Sequence, residues 1–169
     1  GAWQVFLMNT DGSGLSSLTS GFAAIGTTEW SPDGSRIAFS ALPDYLYGNY
    51  DVYVINTDGT GLTNLTDDTS TGGSGPSWSP DGTRIAFSSG RDGDKSETGF
   101  TLSEIYVMNA DGSQQTNLTN NPTLNDYTAA WSPDGATIAF TGYNYETHNG
   151  GVYSMNADGS GRTRLTSDS

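Results

Sequence analysis

An all-β fold built from repeated four-strand units is predicted by three observations. The phrase Trp-Ser-Pro-Asp-Gly stands at 30–34, 78–82 and 131–135, each time followed after two residues by Ile-Ala-Phe. A second phrase interleaves with it, Asn-Thr-Asp-Gly at 9–12 and 56–59 and Asn-Ala-Asp-Gly at 109–112 and 156–159, each followed by a Leu-Thr pair that begins at Leu18, Leu65, Leu118 or Leu165. No segment of helical length carries an apolar stripe of period 3.6, and glycine is abundant, at 23 of 169 residues.

Within a unit each element follows from its residues. Strand A ends at the tryptophan. The Pro-Asp-Gly turn comes next: proline presets the first turn angle, aspartate accepts a local backbone hydrogen bond, and glycine takes the positive φ that other residues resist. Strand B is Arg36-Ile37-Ala38-Phe39-Ser40 and its copies at 84–88 and 137–141, which alternate large and small residues as a strand between two environments should. Strand C is Val5–Met8, Val52–Ile55, Ile105–Met108 or Val152–Met155, β-branched, aromatic or otherwise apolar and too short for a helix. These strands are expected to be buried on both faces. Asn-x-Asp-Gly makes the second tight turn, and strand D carries Leu-Thr.

An aromatic and an Asp-Gly turn recurring about every 50 residues fit the blades of a β-propeller, four-stranded antiparallel meanders set around an axis. The tryptophans Trp30, Trp78 and Trp131 are expected in equivalent, largely buried positions, as are Phe39, Phe87 and Phe140. The divisions are a half blade over 1–20, holding strands C and D alone, and complete blades over 21–68, 69–120 and 121–169. Together they form a single repeat domain.

Trp-Ser-Pro-Asp-Gly, Ile-Ala-Phe, Ile-Tyr-Val-Met-Asn-Ala-Asp-Gly-Ser and Asn-Leu-Thr together resemble the TolB-type, WD-like propeller repeat. That family occurs in bacterial and archaeal envelope proteins and in the propeller domains of some serine peptidases. The resemblance covers essentially the whole chain and implies a periplasmic or extracellular location. Its shared residues are the ones that build turns and cores, so it speaks for the fold more than for an activity.

Three and a half blades should not close into a disc alone. Either the chain is a stretch of a longer propeller, or copies complete one another through open blade faces and an unpaired edge strand into a ring or fibre. A further reading makes it the propeller part of a larger hydrolase.

Composition narrows the partners. Six Lys and Arg against 19 Asp and Glu leave a net charge of −13. Such a surface repels nucleic acid and anionic membranes. No apolar run reaches membrane length, so membrane insertion is not expected. Without cysteine there are no disulfides, thiol nucleophiles or cysteine zinc sites. The one histidine, His148, has no nucleophile-elbow serine beside it and no second histidine for a metal pair. Catalysis is therefore not expected.

Cofactors are not expected either, with one pattern to weigh. Asp92, Asp94 and Ser96 put oxygen at the first, third and fifth positions of a calcium loop, but Glu97 stands where glycine is needed and Ser103 where glutamate is needed. The alternative is a solvated polar loop. Asn64 and Asn117 open two Asn-Leu-Thr sequons that fit N-glycosylation acceptors. Both also lie inside the Leu-Thr motif, which strand packing explains.

Loop length is the informative asymmetry. The A–B and C–D turns are short and nearly identical in every unit, whereas the B–C and D–A connections vary and emerge on the other side of the array. Variable loops on a rigid scaffold place binding on that side. Tyr45, Tyr47 and Tyr50 stand in the first B–C loop, Arg91 in the second, Tyr143, Tyr145 and His148 in the third, and Tyr127 in a D–A loop. Tyrosine offers large contact area with a polar tip at low entropic cost, which suits a protein or glycan partner. The same rings could instead pin long loops onto the blades.

Overall fold

The protein is described by a computed structural model covering residues 2–43, 49–67, 72–93, 95–97, 99 and 101–166. Tyr45, Tyr47 and Asp94 lie outside the described residues. Among the described residues, fourteen strands form four antiparallel sheets. The half blade pairs β1 (Phe6–Leu7) with β2 (Ser16–Ser17). Blade 1 runs β3 (Ala24–Trp30), β4 (Arg36–Leu42), β5 (Asp51–Asn56) and β6 (Thr63–Asn64). Blade 2 runs β7 (Ser74–Trp78), β8 (Arg84–Ser89), β9 (Glu104–Asn109) and β10 (Thr116–Asn117). Blade 3 runs β11 (Asn125–Trp131), β12 (Thr137–Asn144), β13 (Asn149–Asn156) and β14 (Thr163–Arg164). Strand order in each full sheet follows chain order, the predicted meander, and the array is open.

The repeated phrases do the turning work expected of them. Asp33 Oδ1 accepts from the Ser31 hydroxyl at 2.6 Å and the Ser35 amide at 3.0 Å, while Ser31 Oγ accepts from the Arg36 amide at 2.9 Å. Gly34 closes the turn with φ 69. In the second turn Asp58 Oδ1 accepts from the amide and hydroxyl of Thr60, at 2.9 and 2.6 Å. These bonds favour the charged carboxylates: the Ser31 and Ser79 hydroxyls lead in holding Asp33 and Asp81 down to about 2. The threonine of Leu-Thr has its own task. Its hydroxyl accepts from the first apolar amide of strand C in every unit, at 2.8 Å in Thr19, 2.9 Å in Thr66 and Thr119, and 3.1 Å in Thr166.

Three apolar clusters fill the junctions between successive units. Each blade shows a small face to its successor and a large face to its predecessor. Ala38, Val52, Val54 and Leu65 of blade 1 meet Trp78, Ile85, Phe87, Tyr106 and Met108 of blade 2. Within each blade the phenylalanine of strand B stacks on the tyrosine of strand C, with ring centroids 5.6, 5.5 and 5.6 Å apart in blades 1, 2 and 3.

The phenylalanines are buried as predicted, but the tryptophans are not equivalent. Trp78 is 4% exposed, Trp131 is half-buried, and Trp30 is 51% exposed. The physical reason lies in the preceding unit. The Arg36 guanidinium covers the Trp78 ring at 4.7 Å, and Arg84 covers Trp131 at 4.6 Å. Both arginines open strand B of the blade before, whereas among the described residues the unit before Trp30 shows only β1 and β2. Strand C also departs from expectation at the ends of the array. β5 and β9 are buried on both faces over their apolar residues, whereas Phe6 and Met8 are exposed and Val152 to Ser154 are half-buried.

Candidate functional site on the loop side

Hydrogen bonding separates the array into two sides. On the turn side the two turns of each blade are joined by one backbone bond, Thr57 N to Ser35 O at 3.0 Å, Ala110 N to Thr83 O at 2.9 Å, and Ala157 N to Ala136 O at 3.0 Å. On the loop side the connections are tied to one another, Gly73 N to Tyr50 O at 2.6 Å and Asp126 N to Ser103 O at 2.7 Å. The first set repeats from blade to blade. The second set recurs as well, Gly73 and Asp126 holding one place in the repeat and Tyr50 and Ser103 another, so what varies on the loop side is the length and the residues of its connections.

The most developed part of the loop side is the β12–β13 hairpin, whose two strands are eight residues each against six or seven for β4, β5, β8 and β9. Its extra length lifts Tyr143, Tyr145 and His148 past the repeat. The two tyrosine rings meet edge to face at 5.2 Å, Tyr143 Oη lies 3.3 Å from His148 Nδ1, and the Asn125 side-chain amide donates to Tyr145 Oη at 3.3 Å. His148 sits at φ 56, the left-handed turn conformation that lets the hairpin reverse. Glu146 reaches back across the junction, its carboxylate accepting from the Glu97 amide at 2.8 Å. Tyr127 and Tyr50 are both exposed. Tyr127 stands on β11 beside Thr128, a β-branched residue held at φ 57 where blade 2 has Gly75 at φ 62. Blade 3 thus keeps a bulge that glycine makes cheaply elsewhere, at a cost in strain.

Arg91 is placed differently. Its guanidinium lies over Phe87 and Tyr106 at 5.2 and 5.0 Å, donates to Ser89 Oγ at 3.1 Å and hydrogen-bonds Gln115 Oε1. It is half-buried and caps the aromatic stack of blade 2. Asp92 accepts from Asn117 Nδ2 at 2.5 Å, and Ser96 is buried. Among the described residues no three His, Cys, Asp or Glu side chains are grouped to hold a metal ion. The sequon amides are also engaged. Asn64 Nδ2 donates to Asp51 at 2.9 Å and Tyr53 Oη at 3.2 Å, while the Asn64 and Asn117 oxygens accept from the amides of Thr66 and Thr119 at 3.0 Å. Both asparagines therefore brace strand D.

Sequence reasoning missed a buried polar cluster beneath these loops. Arg162 grips Asp126 with both terminal nitrogens at 3.0 Å while lying over Phe140 and Tyr153 at 5.0 and 4.8 Å. Glu104, fully buried at the start of β9, accepts from the Asn121 amide at 2.9 Å and from the Thr119 hydroxyl. Burial is the leading cause that raises Glu104 to about 7, and it also raises Asp126, against the pull of Arg162. Aligning the units carries the missing signal: Asp126 stands where blades 1 and 2 have Ile25 and Gly73, and Arg162 where they have Leu62 and Gln115. The two departures occur together and face each other.

Grooves on the opposite side have a plainer origin. One of about 500 Å³ is lined by Arg36, Val54, Asn56, Thr63 and Leu65 of blade 1 and by Asn109 of blade 2. Another of about 230 Å³ lies at the next junction, lined by Arg84, Val107, Asn109, Thr116 and Leu118. The linings are equivalent residues of successive blades, so the grooves are products of the repeat.

Four-stranded meanders stacked through small and large faces, uniform on one side and variable on the other, define an open β-propeller array. Its resemblance to TolB-type propellers is carried by solved structures. A TolB-type protein from Agrobacterium tumefaciens is 25% identical with a TM-score of 0.81, over 98% of this chain and 57% of its own. TolB from Acinetobacter baumannii is 24% identical with a TM-score of 0.73, over 96% of this chain and 37% of its own. An oligogalacturonate lyase from Vibrio parahaemolyticus, 17% identical, shares the fold with a TM-score of 0.68 over 96% of this chain and 42% of its own. No family model and no curated protein sequence matches this chain. The chain therefore spans little more than half of one TolB-type structure and about a third of the other, and the same fold serves an enzyme as well.

Proposed function

We propose that this propeller array is a non-catalytic binding module that takes a protein or glycan partner on its loop side, in the cell envelope or outside the cell. The observation that carries the reading is the Tyr143, Tyr145 and His148 cluster on the extended β12–β13 hairpin, with exposed Tyr127 and Tyr50 on the same side. Rigid aromatic rings with polar tips on a scaffold held by stacked blades lose little entropy on binding. The TolB-type resemblance supports the location, and the strain kept at Thr128 supports a demand on that part of the surface.

The test replaces Tyr50, Tyr127, Tyr143 and Tyr145 with serine and measures binding on a glycan array and capture of partners from native extract. Binding should be lost while far-UV circular dichroism is retained. Thr57→Lys and Ala157→Lys, on the turn side, should bind as the parent does. If the turn-side changes disrupt binding and the tyrosine changes do not, the contact lies on the other side and the reading fails.

A further inference from the structure

We propose that the buried carboxylate of Glu104 is a proton-operated latch on the loop side: protonated, it holds the connection between β10 and β11 docked at the junction of blades 2 and 3, and ionised, it releases that connection together with the anchor of Tyr145. Its consequence for binding rests on the loop-side reading above, whereas the latch itself needs no partner.

Glu104 makes both of its side-chain bonds to that one connection, residues 118–124, accepting from the Thr119 hydroxyl and from the Asn121 amide at 2.9 Å. At the far end of the connection Asp126, also fully buried, takes both terminal nitrogens of Arg162 at 3.0 Å. Two carboxylates therefore share a buried junction with one guanidinium, which Asp126 already grips. A second negative charge there has no cation of its own, and a buried charge without a partner is costly. Burial leads in raising Glu104 to about 7, and Asp126 adds to it. The charged groups that act on Glu104 are Asp126 from β11 and Arg162 from the turn before β14, while Tyr106 is its titratable neighbour on β9. From β8 the residue opposite is the uncharged Ser89.

The same connection reaches the tyrosine hairpin. Asn120 sits at φ 40, a left-handed conformation that asparagine adopts more readily than most residues and that suits a hinge. Beyond it, Asn125 Oδ1 accepts from the Ser103 amide at 2.7 Å and the Asp126 amide donates to Ser103 O at 2.7 Å. The Asn125 side-chain amide donates to Tyr145 Oη at 3.3 Å, so one residue joins the start of β9 to the ring pair of Tyr143 and Tyr145. The junction of blades 1 and 2 has the same backbone bond, Gly73 N to Tyr50 O, without the charges: Gly73 stands in the place of Asp126 and Gln115 in that of Arg162.

Opening the connection lets water reach Glu104 and returns it towards its ordinary 4.5. Opening is thus least favoured below pH 4.5, grows by up to about tenfold per pH unit from there to about 7, and levels off above. Rings held in place lose less entropy on binding, so binding should be stronger at pH 5.5 than at pH 8.

The experiment is nuclear magnetic resonance of the isotope-labelled chain from pH 5 to pH 8.5, in a His148→Gln background so that no histidine adds its own titration. It follows the amides of Asn121 and Asp126, the side-chain amide of Asn125 and the ring of Tyr145. All four should move with one midpoint near 7. Protection of the Asn121 and Asp126 amides against hydrogen exchange, corrected for the intrinsic rate, should fall on the order of a hundredfold between pH 5 and pH 8. Glu104→Gln should hold every signal near its low-pH position throughout. Asn125→Ala should keep the Asn121 titration and silence that of Tyr145. Circular dichroism checks folding, and if Glu104→Gln does not fold, the carboxyl-carbon resonance of Glu104 in the parent must share the midpoint. An Asn121 amide that does not titrate overturns the proposal, as does a titration that persists in Glu104→Gln or a Tyr145 ring that stays still while Asn121 moves. Equal binding by the parent at pH 5.5 and pH 8, on the glycan array and from native extract, would overturn the control of binding. If the tyrosine-to-serine chain still binds, the loop-side reading fails, while the Asn121 signals decide the latch on their own.

Discussion

Trp78 and Trp30 occupy the same place in the same five-residue phrase, yet one is enclosed and the other faces solvent. Trp78 lies beneath the Arg36 guanidinium, and its amide donates to Glu29 at 2.8 Å, so both contacts come from the blade before it. Trp30 follows a unit that brings strands C and D alone. The same contrast separates Met108 from Met8 and Leu65 from Leu165. In a stacked repeat a residue's burial belongs to the junction as much as to the residue, and identical sequence confers identical stability only where the neighbour is identical.

The sharpest way to break that comparison is to truncate both rings. Trp78→Ala removes a packed indole from the junction of blades 1 and 2 and should cost about 3–5 kcal/mol of unfolding free energy. Trp30→Ala should cost about 0.5 kcal/mol or less, as an exposed substitution does. Urea denaturation followed by circular dichroism reads both. Similar losses at the two sites would show that Trp30 is covered in solution and that the neighbour argument fails.

A second comparison sets the junction of blades 2 and 3 against that of blades 1 and 2. Glu104 and Asp51 open equivalent strands, and both accept from the hydroxyl of the Leu-Thr threonine, Thr119 and Thr66 respectively. Glu104 alone sits near a second buried carboxylate, Asp126, already committed to Arg162. Because folding raises Glu104 from 4.5 to about 7, its contribution to stability is fully present below pH 4.5 and is lost as pH rises through about 7. The loss should be on the order of 2–3 kcal/mol for a shift of this size. Glu104→Gln, which imitates the protonated acid, should flatten thermal stability across that window and leave the variant more stable than the parent at pH 8. Parallel pH profiles for the two would rule out Glu104 as the titrating group.

Strand order, both turns, the phenylalanine core and the division into a uniform and a variable side were legible in the sequence, because each rests on interactions within one unit. Pro-Asp-Gly carries its own hydrogen bonds, and Ile-Ala-Phe its own alternation. The exposure of Trp30, Phe6 and Met8 was not legible strand by strand, since it depends on what the adjacent unit brings. Arg91 read as a loop cation and caps Phe87 and Tyr106 because its stem folds back onto the blade. Asp126 and Arg162 were hidden for another reason: each is ordinary alone, and only their joint departure from the repeat marks a buried pair.

The smallest effect tests the cover itself. Arg36→Met keeps most of the aliphatic reach over Trp78 and removes the charge that faces the indole. A guanidinium over tryptophan contributes about 0.5–2 kcal/mol depending on how far it is desolvated, so Arg36→Met should cost about 1 kcal/mol. Arg84→Met, over half-buried Trp131, should cost the same or less. Tryptophan fluorescence adds a second readout: Trp78 emission should shift to longer wavelength in Arg36→Met and stay unchanged in Arg84→Met. If Arg36→Met leaves both stability and emission unaltered, the guanidinium is a spectator. Trp78 would then owe its enclosure to Val54, Leu65 and the bond its amide makes to the Glu29 carboxylate, with no special part for the guanidinium in the contrast with Trp30.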